Sequence, residues 1–161
     1  MPEDTDSSVK RSLTSVYWKR ALIYYSLEDW KKVQADLEKS ETIAKSLIAQ
    51  DPEDKSMARM LQTIYAQMAP VLGELKQFDR AIALGEKNHS ERQAAYDADN
   101  KNTGRFRELT GSFFSQATIY QLAGQTEKAC KNYRQSLRNW EIIEKNGNAT
   151  ELDKALSLIH I

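Results

Sequence analysis

The sequence predicts an all-α protein: an α-solenoid of three antiparallel helix pairs, followed by part of a further helix. The first observation is a repeat period of 48 residues, which puts Leu13, Leu61 and Leu109 in one register position. The second is the spacing of apolar residues at three and four positions, which is typical of one helical face. No segment alternates apolar and polar residues as a half-buried strand would. A fixed period of this length indicates stacked units that share a core.

The period divides the chain into three repeats, separated by short breaks of polar and turn-forming residues. A polar lead covers residues 1–6, and the repeats cover residues 7–54, 55–102 and 103–150. Many positions keep their character from repeat to repeat. They include Ala21, Ala69 and Ala117, and the polar Ser40, Asn88 and Ser136. We therefore expect each repeat to hold one helical hairpin with a shared apolar interior.

The first repeat shows how such a hairpin is built. The apolar face of its first helix consists of Leu13, Tyr17, Ala21 and Tyr24. The matching face of its second helix consists of Val33, Leu37, Ser40, Ala44 and Leu47. Asp29 lies between the two helices, and we expect its side chain to cap the second one. Gly124 holds the equivalent turn of the third repeat, where we expect it to end a helix in the left-handed conformation.

The second repeat departs from this pattern at two positions. Pro70 falls inside its first helix, where a proline removes a backbone hydrogen bond and crowds the preceding turn, so we expect a kink. Gly85 stands where the other repeats have Leu37 and Tyr133. This glycine either loosens the repeat or lets two helices approach closely.

The chain ends in what would be the first helix of a fourth repeat, at residues 151–161. The last six residues, Leu156–Ile161, resemble a translated sequencing adaptor, and we expect them to be non-native. A stack needs a polar outer face on its last unit, and this segment does not supply one. We therefore expect the sequence to be a fragment of a longer protein.

Composition argues against several classes of partner. Lys plus Arg total 23 and Asp plus Glu total 23, whereas a nucleic-acid binder normally needs a basic surface. The longest apolar run, Ala21–Tyr25, is far shorter than the roughly 20 residues that span a bilayer. The first residues lack the basic and apolar segments of a secretory signal. Because Cys130 is the only cysteine, no internal disulfide is possible, and we expect a cytoplasmic location.

No arrangement of residues predicts catalysis, a metal site or a cofactor. We expect His89 and His160 to be exposed on helices, and with one cysteine they do not form a ligand set. No histidine lies close to Cys130 in the sequence to serve as its base, so we expect a passive, partly buried thiol. A glycine-rich phosphate loop is also absent. The chain is therefore predicted not to be an enzyme.

The third repeat carries a family resemblance. Its run Ala117–Tyr120 precedes Gly124, Ala129 and Tyr133, and this order of small, aromatic and turn residues resembles the tetratricopeptide repeat. The resemblance covers nearly all of residues 7–150, although the usual repeat has about 34 residues. It implies a superhelix of helix pairs that binds other proteins. The chain is similar to the long bacterial arrays of such repeats that often accompany serine/threonine kinases or other signalling domains.

By alignment with that family, the first helices line a concave groove that we expect to bind a partner. On each helix the groove residues follow i, i+4, i+7 spacing, which places them on one side. They are Trp18, Leu22, Tyr25, Ala66, Pro70, Phe114, Thr118 and Gln121. Such an apolar patch either anchors a peptide or packs against a neighbouring repeat or domain. Trp18, Ala66 and Phe114 replace the first basic residue of the clamp in chaperone-binding members, so we do not expect a chaperone-tail receptor.

Two functions of different classes stay open. The first is a protein–protein interaction scaffold, as the accessory region of a larger bacterial signalling protein. The second is a sensor domain that holds a peptide or small ligand in the groove and regulates an attached catalytic domain. The expected partner is a protein, a peptide or a neighbouring domain of the same polypeptide. We expect no nucleic acid, no membrane and no cofactor.

Overall fold

A computed structural model describes residues 2–147 of the chain, with side chains from residue 6 onward. The described residues form six α-helices and no strand, so the predicted all-α class is confirmed within them. The helices are α1 (Pro2–Ser26), α2 (Trp30–Gln50), α3 (Lys55–Glu74), α4 (Phe78–Ala98), α5 (Thr103–Leu122) and α6 (Thr126–Lys145). The predicted start of a fourth repeat, at residues 151–161, lies outside the described residues.

The helix boundaries keep the period of the sequence. Trp30, Phe78 and Thr126 begin α2, α4 and α6, and they stand 48 residues apart. Lys55 and Thr103 begin α3 and α5 at the same interval. The repeat is therefore present in the backbone as well as in the apolar pattern.

The turns that follow α1, α3 and α5 share one backbone geometry. Glu28, Lys76 and Gly124 occupy the same register position, with φ angles of 56°, 59° and 73°. In each turn the next amide donates to a carbonyl near the end of the preceding helix. The N···O distances are 3.0 Å for Asp29 to Tyr24, 2.8 Å for Gln77 to Leu72, and 2.8 Å for Gln125 to Tyr120. The left-handed conformation predicted for Gly124 is confirmed, and the other two turns adopt it without glycine.

Polar side chains cap three of the helices at their amino ends. Asp29 Oδ1 accepts a hydrogen bond from the Lys32 amide at 3.3 Å, which confirms the predicted cap of α2. Asp54 caps α3 and Asn102 caps α5 in the same way. These caps satisfy amides that have no partner inside the helix, and they fix where each helix begins.

The chain divides into two compact units, Met1–Gln77 and Phe78–Ile161. In the first unit α1 packs against α2, and α2 packs against α3. In the second unit α4 packs against α5, and α5 packs against α6. Consecutive helices are therefore in contact within each unit, as in an α-solenoid. The buried residues include Ala21, Val33, Leu37 and Ile64 in the first unit, and Ala81, Leu109, Ala117 and Ile119 in the second.

One hydrogen bond between helices recurs in both units. The Ser40 hydroxyl of α2 donates to the Thr14 carbonyl of α1 at 2.9 Å. The Ser136 hydroxyl of α6 donates to the Thr110 carbonyl of α5 at 3.2 Å. All four residues are buried. Because both pairs lie in equivalent register positions, the α1/α2 and α5/α6 contacts are two copies of one hairpin.

Gly85 marks a close helix contact rather than loose packing. A Cβ atom at this position would lie 2.5 Å from Gln116 Oε1 and 2.8 Å from Ile119 Cδ1. The backbone of α4 therefore approaches α5 closely, and this is the second of the two explanations for the glycine. Pro70 lies inside α3, which continues through it to Glu74, and the kink there stays a prediction.

Leu13 does not belong to the core as the period predicts. It is 41% exposed, whereas Leu109 at the equivalent position is 3% exposed. The cause is the number of neighbouring helices: α5 lies between α4 and α6, but among the described helices α1 packs closely only against α2. The prediction that Leu13 is a core residue is therefore wrong.

Candidate partner-binding surfaces

Three of the predicted groove residues form one cluster on the second unit. Phe114, Thr118 and Gln121 lie along α5, and Tyr133 of α6 contacts each of them. The rings of Phe114 and Tyr133 are 5.6 Å apart. The Tyr133 hydroxyl donates to Gln121 Oε1 at 2.7 Å and lies 3.3 Å from Thr118 Oγ1. We call these four residues the α5 cluster; the alignment gave three of them and missed Tyr133.

Three further groove residues lie together on α1 in the first unit. Leu22 and Tyr25 are exposed, and Trp18 is half-buried. Tyr25 packs edge-on against Trp30, with their ring centroids 5.1 Å apart. The buried Nε1 of Trp18 has no hydrogen-bond partner among the described residues. This side of α1 therefore presents aromatic rings to solvent.

Ala66 and Pro70, the last two predicted groove residues, lie on α3. Both are half-buried, and neither side chain carries a hydrogen-bonding group. They can add only apolar area to a binding surface. A single groove that joins all eight predicted residues stays a prediction.

The opposite side of α1 carries a second apolar surface that the sequence reasoning missed. Its members are exposed and follow alternating spacings of four and three residues, interrupted once by Arg20. They are Val9, Leu13, Val16 and Ile23 on α1, with Leu27 in the turn that follows it, and we call them the α1 stripe. Successive residues of an α-helix point about 100° apart, so the stripe faces away from Trp18 and Tyr25. The regular spacing was the available signal, but Leu13 was assigned to the single face that packs on the second helix.

His89 joins α4 to α5 and is not an exposed residue, so that prediction is wrong. Its Nδ1 lies 2.8 Å from the Ser112 hydroxyl, and its ring centroid is 4.4 Å from that of Phe113. Because Ser112 Oγ already donates to the Leu109 carbonyl at 2.7 Å, Nδ1–H is the donor to Ser112. Burial lowers the pKa of His89 because the charged imidazolium is poorly solvated there.

Cys130 and His160 are the remaining candidates for chemistry from the sequence. Cys130 is exposed, so the expectation of a partly buried thiol is wrong. It follows the buried Ala129 on α6, and neighbouring helix positions point about 100° apart. Within the part of the chain that the structure describes, no three His, Cys, Asp or Glu side chains gather as metal ligands. His160 lies outside that part.

None of the helices within residues 2–147 combines the length and the apolar character needed to cross a bilayer.

The second unit also contains a cavity of about 380 Å³ where the ends of α4, α5 and α6 meet. Tyr96 and Phe106 line it with ring centroids 5.3 Å apart, beside Ile143. The amides of Asn139 and Asn146 add polar groups to its wall. Its size and mixed lining suit a small molecule with one apolar and one polar side.

No protein-family model, curated protein or solved structure matches this chain.

Proposed function

We propose that this chain is a protein–protein interaction module of the tetratricopeptide type. Its role is that of a cytoplasmic accessory region in a larger bacterial signalling protein. Two features support the proposal: the residues of the third repeat that resemble the family, and consecutive helices that pack in contact within each unit. Stacked repeats of this kind offer extended surfaces to partners.

The α5 cluster is the observation that carries the proposal. The ring of Phe114 supplies apolar contact area and packs against the neighbouring Tyr133 ring. Gln121 is exposed and uses Oε1 to accept from Tyr133, which leaves its NH2 group to donate to a peptide carbonyl. An aromatic anchor beside an amide donor suits an extended or helical peptide.

Loss of the Phe114 ring tests the proposal. We expect peptides selected from a displayed library against the wild-type chain to bind Phe114→Ala at least about tenfold more weakly, since hot-spot aromatics commonly contribute about 2 kcal/mol. Affinity is measured by fluorescence polarisation, and helicity by circular dichroism. Ile142→Ala, which removes an exposed apolar side chain of α6, is the matched control and should leave binding unchanged.

Selected peptides that bind Phe114→Ala as tightly as wild type would remove the α5 cluster from the proposal. A library that yields no binder at all would count against the interaction module itself.

The second candidate is a sensor of a small ligand, and the cavity beside Tyr96 and Phe106 is the observation that favours it. A ligand bound there contacts three helices of the second unit and stabilises the folded state by mass action. The two candidates differ in which residues matter: the sensor depends on the cavity, and the interaction module depends on the α5 cluster.

A further inference from the structure

On α5, three positions equivalent to members of the α1 stripe contact α4, and so does the position equivalent to Arg20. The Arg105 guanidinium donates to the Ala95 carbonyl at 2.6 Å, and Ser112 bonds His89. Gln116 and Ile119 lie directly against the backbone at Gly85. These four α5 positions correspond to Val9, Val16, Arg20 and Ile23 on α1. In the second unit, this side of a first helix is therefore covered by the second helix of the preceding repeat.

Tyrosines at the edge of the covered side bond to glutamates of the covering helix. The Tyr65 hydroxyl of α3 donates to Glu41 of α2 at 3.2 Å. The Tyr120 hydroxyl of α5 donates to Glu86 of α4 at 2.7 Å. On α1 the equivalent positions are Tyr17 and Tyr24, respectively. Glu86 of α4 is equivalent in the repeat to Glu38 of α2. The two glutamate positions are therefore three residues apart, and α2 has a glutamate at both, Glu38 and Glu41.

Tyr24 and Tyr120 each have a lysine close to the ring. Lys32 Nζ lies 5.2 Å from the Tyr24 ring, and Lys128 Nζ lies 5.1 Å from the Tyr120 ring. Lys32 and Lys128 are themselves equivalent in the repeat. Within residues 6–147, the hydroxyls of Tyr17 and Tyr24 make no hydrogen bond. They sit at the positions from which Tyr65 and Tyr120 donate to a carboxylate.

We propose that the α1 stripe docks an amphipathic helix of a partner protein, whose two glutamates, three residues apart, accept hydrogen bonds from Tyr17 and Tyr24. This surface lies on the opposite side of α1 from Trp18, so the inference goes beyond the proposed function and does not depend on it. The partner's apolar residues cover the stripe, and its acidic edge meets the tyrosines.

The spacing and the charge of this surface both favour such a helix. Alternating steps of four and three residues form the seam along which two α-helices pack. Val16 is 55% exposed and Ile23 is 60% exposed, so the seam is open along its length. Arg20 lies within 5.4 Å and 6.0 Å of the Tyr17 and Tyr24 rings, but it is paired with Asp36, as Lys32 is with Asp29. Lys39 Nζ, 5.4 Å from the Tyr17 ring, adds a positive charge at this edge that attracts carboxylates.

A second copy of this chain is disfavoured as the occupant by the charge of α6. In the register of the covering helices, α6 has Arg134 where α2 and α4 have Glu38 and Glu86. It has Leu137 where α2 has Glu41. Docking of α6 on the α1 stripe of another copy would bring Arg134 towards Arg20 and Lys32, and like charges repel across an interface.

A synthetic helix with the sequence of Trp30–Gln50 is the probe, because it carries both glutamates in the required register. A hydrocarbon staple between positions 39 and 43 lies on the side of the peptide opposite Glu38 and Glu41. It keeps the free peptide helical, which removes most of the entropy cost of ordering the peptide on binding. We expect calorimetric titration to give saturable binding to the full chain, with a Kd below about 1 mM. A peptide with Glu38→Lys and Glu41→Lys should bind at least about tenfold more weakly.

Chain variants then locate the site. Val16→Lys and Ile23→Lys change exposed side chains, so they keep the fold and should each weaken binding about tenfold or more. Tyr24→Phe removes a hydroxyl with no partner in the free chain and should weaken binding about threefold to tenfold. Leu137→Lys introduces the same charge on α6 and should leave binding unchanged.

Each contrary result overturns the proposal. Absence of binding up to about 1 mM, or equal binding by Val16→Lys, shows that no acidic helix docks on the stripe. Sedimentation that shows self-association of the wild-type chain lost in Val16→Lys assigns the stripe to a second copy. Failure of the Phe114 test leaves these measurements unaffected, because Phe114 lies in the other unit.

Discussion

Polar side chains fill the contact between α4 and α5 at positions that are apolar in α3. Ser112 and Gln116 of α5 are buried, and at the equivalent positions α3 has the buried Ile64 and Met68. Both polar atoms of the Gln116 side chain are buried without a hydrogen-bond partner among the described residues. His89 and Ser112 bond each other in the same contact. This contact therefore buries polar groups, of which the His89–Ser112 pair is hydrogen-bonded and the Gln116 amide is not.

His89 makes the stability of this contact depend on pH. Its pKa is lowered in the folded chain by burial, so the unfolded chain binds the proton more readily. Stability is therefore full above the ordinary histidine pKa of 6.5 and falls as the pH drops below it. We expect the urea midpoint of the wild type to fall more between pH 7.5 and pH 5.5 than that of His89→Gln.

Glutamine is a suitable replacement because its amide can still donate to Ser112 while it does not titrate. The comparison cancels the contribution of carboxylates, which are common to both proteins. Equal losses in the two proteins would show that His89 does not couple folding to protonation.

The turns after α1, α3 and α5 repeat one geometry with unequal residues. Gly124 adopts its φ of 73° without steric cost, but Glu28 and Lys76 have side chains that oppose positive φ. All three turns nevertheless close with the same backbone hydrogen bond. The hairpin geometry therefore imposes the left-handed residue, and the sequence accommodates it best in the third repeat.

Glycine should improve the first two turns. We expect Glu28→Gly and Lys76→Gly each to raise the free energy of unfolding by about 0.5–1 kcal/mol, because the relief of the left-handed conformation exceeds the added entropy of the unfolded chain. Gly124→Lys should lower it by about 1 kcal/mol. Urea denaturation followed by circular dichroism measures all three.

Lys101→Gly provides the matched control for these substitutions. Lys101 is an exposed turn residue, and Glu28 and Lys76 are the non-glycine residues of positive φ in the described chain. Glycine there can only add entropy to the unfolded state and should destabilise slightly. A gain at Lys101 equal to the gain at Glu28 would show that backbone strain is not the cause.

Over the whole chain, stability should depend on how many helices border each one. Within the described residues α1 packs closely only against α2, while α5 packs against both α4 and α6. In a stack whose units contact only their neighbours, an element with one neighbour opens more readily. We expect amide exchange, measured by mass spectrometry, to be faster in residues 12–25 than in the equivalent residues 108–121.

The stapled helix of the docking experiment links this prediction to the α1 stripe. Binding on the stripe gives α1 a second neighbour, and exchange in residues 12–25 should slow towards that of residues 108–121. Equal protection of the two segments in the free chain would contradict the dependence on neighbouring helices.

Much of the fold was predictable because it depends on local chemistry. The period placed Ser40 and Ser136 in one register, and both make the same hydrogen bond. Asp29 and Gly124 were predicted from preferences of helix ends, which act within a few residues. Of the candidate surfaces, the α5 cluster was found except for Tyr133, whose part depends on a contact with another helix.

Other features could not be predicted because they depend on residues distant in sequence. Arg20 pairs in bidentate fashion with the buried Asp36, at 2.6 Å and 2.7 Å, and the other repeats lack this pair. His89 is polar and was expected to be exposed, but it lies against Ser112 and Phe113. Neither local propensity nor the period contains these contacts.

The sequence by itself determined the helices, their period and most of their ends, since these follow from apolar spacing, caps and turn residues within one repeat. The tertiary structure alone decided which helix faces are covered. Leu13 and Leu109 have the same side chain and register, yet one is exposed and the other buried. Burial is a property of neighbouring helices, and α5 has two of them where α1 has one.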